Sequence, residues 1–169
     1  LFSRSYEGRK KVLGADDPAT LASQYALGVA IGEQGRFAET ETLITDSLRR
    51  CRATLGLTSK QTLSTLRGLA VLYRSTGDID KAMPLYEECY ALSREALGVS
   101  NPITLLTMQD LAGLLLARDN PQRALELISE AVEASKSVRG KKHPGTLISM
   151  GILAGAYQAT GDTPQAEQV

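Results

Sequence analysis

Four frames of 42 residues run through this 169-residue chain without an insertion. Leu13-Gly14, Leu55-Gly56 and Leu97-Gly98 open three of them, and Arg139-Gly140 opens the fourth. Thr20, Thr62, Thr104 and Thr146 keep the interval, as do Leu21, Leu63, Leu105 and Leu147. A fixed period of this size means stacked supersecondary units, each burying part of its apolar surface only against its neighbours. The chain is rich in Leu and Ala, holds 5% aromatic residues and has no Trp, which favours helices over strands.

Each frame reads as two helices. Asp17, Ser59, Asn101 and His143 share one column, and Pro18, Pro102 and Pro144 follow in three of the four frames. Asp, Ser and Asn are good N-caps because a side-chain oxygen accepts from a free N–H of the first turn. Proline suits the next position, where its missing N–H costs nothing. The first helix is therefore expected from about residues 18, 60, 102 and 144 to the column of Gly35, Gly77, Asp119 and Gly161. Asp78, Asn120 and Asp162 form a second column of caps, and the second helix runs on to the next Leu-Gly pair. Pro84 falls one turn inside its helix, where it is expected to bend the helix without ending it.

The internal spacing matches the tetratricopeptide signature, W-x2-L-G-x2-Y followed by A-x3-F, and argues against HEAT-type pairs. The first frame has Gln24, Leu27, Gly28 and Ile31, then Thr40 and Ile44; the second has Leu66, Leu69, Ala70 and Tyr73, then Ala82 and Tyr86. Met108, Leu111, Ala112 and Leu115, then Ala124 and Ile128, continue the series. Met150, Leu153, Ala154 and Tyr157, then Ala166, complete it. Small residues at the Gly28 and Thr40 columns let helices approach closely, with large neighbours filling the space around them.

The phrases LGADDPATL, LGVSNPITL and RGKKHPGTL, with KAMPLYEECYALSREALG between, resemble the kinesin light chain type of tetratricopeptide repeat across essentially the whole chain. Similar long repeats occur in nephrocystin-like proteins and in the C-terminal arrays of nucleotide-binding signalling receptors. The resemblance implies an all-α, right-handed α-solenoid of antiparallel helix pairs that binds peptides or proteins on its concave side. It departs at one column. Kinesin light chain repeats usually carry Asn before the Leu-Ala pair, where it holds a peptide backbone; here that column is Ala26, Gly68, Asp110 and Ile152.

In such arrays the first helix of each unit lines the inner face, and residues three or four apart share that face. Six inward columns give 24 positions, of which 11 are Gly, Ala or Ser and none is Lys. A carboxylate clamp would need Lys, Arg and Asn converging on one spot, so the expected surface is a shallow, mostly neutral trough. Its large apolar members include Tyr25, Val29, Val71, Leu106, Ile148 and Ile152. Arg67, Arg74, Gln109, Asp110 and Gln158 supply polarity that would set register. These eleven residues are the expected partner-binding set.

Other function classes find little support. The charge balance of 19 against 19 gives no footprint for nucleic acid or an acidic membrane, and no apolar run approaches a membrane span. The lone histidine, His143, lies in the cap column, and Cys51 and Cys89 follow no metal or redox spacing. There is no phosphate-binding glycine loop. No catalytic residue, cofactor or metal is expected, and a cytoplasmic setting fits this cysteine usage.

The expected organisation is one array: residues 1–12 end a preceding repeat, followed by repeats at 13–54, 55–96 and 97–138 and an incomplete repeat at 139–169. Leu1 and Val169 share a column with Leu43, Leu85 and Leu127, so both ends fall inside a second helix with no polar cap. Uncapped solenoid ends pack on further repeats or on other copies. Two functions fit: a docking module with an inner groove, or a structural or sensing arm of a larger signalling protein acting through domain packing or self-association.

Overall fold

A computed structural model describes all 169 residues, as nine α-helices: α1 (Phe2–Leu13), α2 (Pro18–Gly32), α3 (Phe37–Leu55), α4 (Lys60–Ser75), α5 (Ile79–Leu97), α6 (Pro102–Ala117), α7 (Pro121–Arg139), α8 (Pro144–Thr160) and α9 (Thr163–Gln168). The even-numbered helices begin at the four expected positions. Their caps form as the residue types require: Asp17 accepts from the Ala19 N–H at 2.8 Å, Ser59 from Thr62 at 3.0 Å and Asn101 from Ile103 at 2.9 Å. His143 does the same through Nδ1, which accepts from the Gly145 N–H at 3.0 Å.

The second helices are capped less well. Asp78 and Asp162 accept at 3.4 and 3.3 Å, while the Asn120 side chain, expected to cap α7, makes no such bond. Gly161 takes the left-handed conformation that ends α8, and Asp119 adopts it without being glycine, at φ 55°. Asp tolerates this region better than most residues, because its short side chain can bond locally. α5 runs unbroken through Pro84.

The helices gather into two compact units, Leu1–Leu85 and Tyr86–Val169. In the first, α2 and α3 pack antiparallel, which their cross-helix bonds fix residue by residue. Ser47 Oγ donates to the Leu21 carbonyl at 3.3 Å, Gln24 Nε2 to the Leu43 carbonyl at 3.2 Å, and Thr40 Oγ1 to the Gly28 carbonyl at 3.1 Å. As the position on α2 rises, its partner on α3 falls. Gly28 permits this closeness, since a Cβ there would stand 2.9 Å from Ile44 Cγ1. Around the contact Leu21, Ile44, Leu48 and Cys51 are buried, and a fully buried Leu or Ile side chain contributes about 1.5–3 kcal/mol.

Polar groups at the edge of this contact are matched. Asp46 receives Gln24 Nε2 at 2.9 Å, Arg50 Nε at 2.8 Å and Arg49 at 2.6 Å, and Arg50 reaches on to Asp16 at 2.8 Å. Partial burial pushes the Asp46 carboxyl up, but the bonds from Gln24, Arg49 and Arg50 outweigh it and hold the group at about 2. α4 lies parallel beside α2: Gln61 Nε2 donates to the Pro18 carbonyl at 2.9 Å, and the Tyr25 ring lies against Gly68. The Tyr73 hydroxyl donates to Glu41 of α3 at 2.6 Å.

In the second unit, Leu105, Met108, Leu111, Ala112 and Leu115 of α6 are buried, with Ala124, Ile128, Ala131 and Val132 of α7 and Leu153 and Ala156 of α8. Ser135 and Thr146 share a hydrogen bond of 2.9 Å between α7 and α8. Cys89 is buried at 3.5 Å from Thr107 Oγ1. Cys51 is likewise buried in the first unit, and burial pushes its thiol up. Both cysteines are packing residues, as a small slot facing a helix requires.

Three measurements check this packing. Gly28→Leu should overfill the α2–α3 contact and destabilise by about 1–3 kcal/mol. Gly113→Ala meets no atom within 4 Å and should raise the melting midpoint, by about 0.5–1 kcal/mol of helix propensity. Asp46→Asn should destabilise by about 1 kcal/mol at pH 7, a hydrogen-bonded charge discounted for its exposure. A depressed carboxyl stabilises the fold above its unfolded pKa and loses that effect as pH falls through its folded value. The gap between Asp46→Asn and the parent in denaturant midpoint should therefore close between pH 4 and pH 2.

Candidate functional site

The first helices of each pair leave one long side uncovered by their own second helices. In the first unit that side is formed by α2 and α4. Tyr25 is half-buried, with its ring over Gly68, where an added Cβ would lie 2.4 Å from the phenol oxygen. It therefore buttresses α2 against α4 and presents only part of its edge. Burial pushes its phenol up, against the opposing field of Arg67.

Towards the C-terminal ends of α2 and α4 the side opens into a notch of ≈ 300 Å³. Val29, Gly32 and Glu33 line it from α2, and Gly68, Val71, Leu72 and Ser75 from α4, while Phe37, Thr40 and Ile44 form the wall given by α3. Val29 is 39% exposed and Phe37 44%. Most of this lining is apolar, and its hydroxyls are already committed: Thr40 Oγ1 lies 3.0 Å from the Arg36 carbonyl, and Ser75 Oγ donates to the Leu72 carbonyl at 2.8 Å.

Phe37 lies outside the six columns expected to face inward, because it belongs to the start of a second helix. The signal that could have found it is a large aromatic residue directly after the Gly35-Arg36 turn, in a column otherwise filled by Ile79, Pro121 and Thr163. Gly32 and Glu33 stand at the end of α2, and only the fold shows that they line the notch.

In the second unit α6 and α8 form the corresponding side, and its character differs. Leu106 and Ile148 protrude, 37% and 58% exposed, beside Gly113 and Gly151, where an added Cβ would meet nothing within 4 Å. Asp110 and Ile152 are half-buried, and Gln158 is exposed. Gln109 departs from the expectation of an inward contact. It is 7% exposed, and its Nε2 donates to the Gly145 carbonyl at 2.8 Å and to Ser149 Oγ at 2.6 Å. Its amide ties α6 to α8, because a buried donor must find partners, and these are the ones within reach. Of the remaining expected residues in the first unit, Arg67 and Val71 are half-buried and Arg74 is exposed.

His143 caps a helix, and no group of three or more His, Cys, Asp or Glu side chains is arranged to hold a metal ion. No helix is long and apolar enough to cross a membrane.

The tetratricopeptide repeat family model matches residues 27–95 and 103–169. Two crystal structures of a Podosopora anserina protein, described as a candidate kinesin light chain with nearly identical TPR-like repeats, are 28% identical to this chain. They match over 99% of this chain and 79% of theirs, with TM-scores of 0.81 and 0.79. BtubC from P. vanneervenii shares the fold at a TM-score of 0.81 and 17% identity, over 90% of this chain and 61% of its own. No curated protein matches the chain. With its 42-residue register, glycine-permitted helix contacts and these structural neighbours, the chain belongs to the tetratricopeptide repeat family.

Proposed function

We propose that this array is a non-catalytic docking module that binds a peptide or partner helix along the sides formed by its first helices. Tetratricopeptide repeats generally serve as protein-interaction modules. The observation that carries the finer reading is the apolar notch between α2 and α4, where Val29 and Val71 stand at a surface their own second helices leave open. Burying such a surface under a partner's apolar side chains is favourable, and a central pocket for a bulky residue is where interface energy concentrates. On this reading Val29, Val71, Leu106 and Ile148 make apolar contacts. Arg67, Arg74, Asp110 and Gln158 orient the ligand, while Tyr25 shapes the floor and Gln109 and Ile152 support it from behind.

A second reading draws on α1, which buries none of its residues and exposes Val12 at 80% and Leu13 at 50%. That surface suits self-association or packing on another domain, as a structural or sensing arm would use it. The two readings separate in one experiment. Peptides selected from a random twelve-residue displayed library on the full chain would be titrated against Val71→Arg, Ile148→Arg and Val12→Glu variants by fluorescence anisotropy. The docking reading expects a tenfold or greater loss in Val71→Arg or Ile148→Arg, with unchanged melting, and no effect of Val12→Glu. Retained binding in both face variants, with sedimentation showing oligomers that Val12→Glu disperses, would favour the second reading instead.

A further inference from the structure

We infer that the α2–α4 notch takes one bulky apolar side chain from a partner segment that carries Lys or Arg beside it. This rests on the docking reading above and assigns the chemistry of its ligand. A volume of ≈ 300 Å³ lies at the small end of ligand pockets, which run from about 300 to 1,000 Å³. That suits a single inserted side chain better than a cofactor. Val29, Phe37 and Val71 offer it apolar walls.

The polar complement of the notch decides what stands next to that side chain. The hydroxyls of Thr40 and Ser75 are taken up by backbone carbonyls. Glu33 is the one charged residue in the lining, it is exposed, and it enters no ion pair. It also stands at the C-terminal end of α2, and α4 ends at Ser75, which lines the notch from its other side. Two helix C-termini present the negative ends of their dipoles there, against the single N-terminus of α3. The first turn of α3 already holds Glu39, paired with Arg36. Neither Arg67 nor Arg74 lines the notch. A cation seated beside the apolar anchor therefore meets a carboxylate and the negative ends of two helix dipoles, whereas an acidic neighbour would be repelled.

The test uses the full chain and the selected twelve-residue peptides. Those whose binding is lost in Val71→Trp, which fills the notch, should share a Leu, Ile, Met or Phe with Lys or Arg within two residues. In the tightest of them, Glu33→Lys should weaken binding about fivefold, and changing the peptide's basic residue to Glu should restore it in that variant alone. Far-ultraviolet circular dichroism and melting curves confirm that both variants keep the fold, and Glu33→Gln gives an intermediate effect. Notch-dependent peptides with acidic neighbours, or with no response to Glu33→Lys, overturn the inference while leaving the docking reading standing. Peptides indifferent to Val71→Trp but lost in Ile148→Arg do the same. Peptides insensitive to every face variant overturn both.

Discussion

The close approach of α2 to α3 at Gly28 is the contact on which the rest of this structure depends. A side chain there would meet Ile44 at 2.9 Å, so its absence sets the distance at which Thr40, Gln24 and Ser47 can reach the opposite backbone. Once that register is set, Leu21, Ile44, Leu48 and Cys51 are buried together in one core. Buried Ala70 and Ala112 occupy the same column in later repeats, and buried Ala82 and Ala124 the column of Thr40. The small residues therefore set the spacing, and the large ones supply the burial.

That arrangement leaves the chain's few chemically distinctive residues with structural duties. His143 caps α8 through Nδ1, which keeps its acceptor nitrogen facing a backbone N–H. Cys51 and Cys89 fill slots at helix contacts, and burial pushes the Cys51 thiol away from the reactive thiolate. Asp46, the carboxylate held at about 2, is a junction for Gln24, Arg49 and Arg50 along the α2–α3 edge. The shifts at Asp46 and Cys51 accordingly come from the packing of neighbouring helices.

Variety is concentrated on the uncovered sides of the first helices. The first unit combines the Tyr25–Gly68 contact with an apolar notch edged by Glu33, whereas the second raises Leu106 and Ile148 above open glycines. The same backbone plan therefore carries two different surfaces.

The sequence by itself determined the repeat length, the start of every first helix and the columns of small residues. These follow from short-range chemistry, in caps such as Asp17 and Asn101 and in glycines at helix ends, and the fixed period repeats that chemistry at each joint. It did not show that Asn120 would leave α7 without a side-chain cap. Nor did it reveal that Gln109 would turn from the open side to bind Gly145 and Ser149, or that Phe37 would wall a notch with Val29 and Val71. Those outcomes depend on which groups, distant in sequence, come within a few ångströms of one another. Only tertiary packing decided the places of Gln109 and Phe37, since a buried amide takes the partners it can reach and an apolar ring covers whatever surface lies beside it.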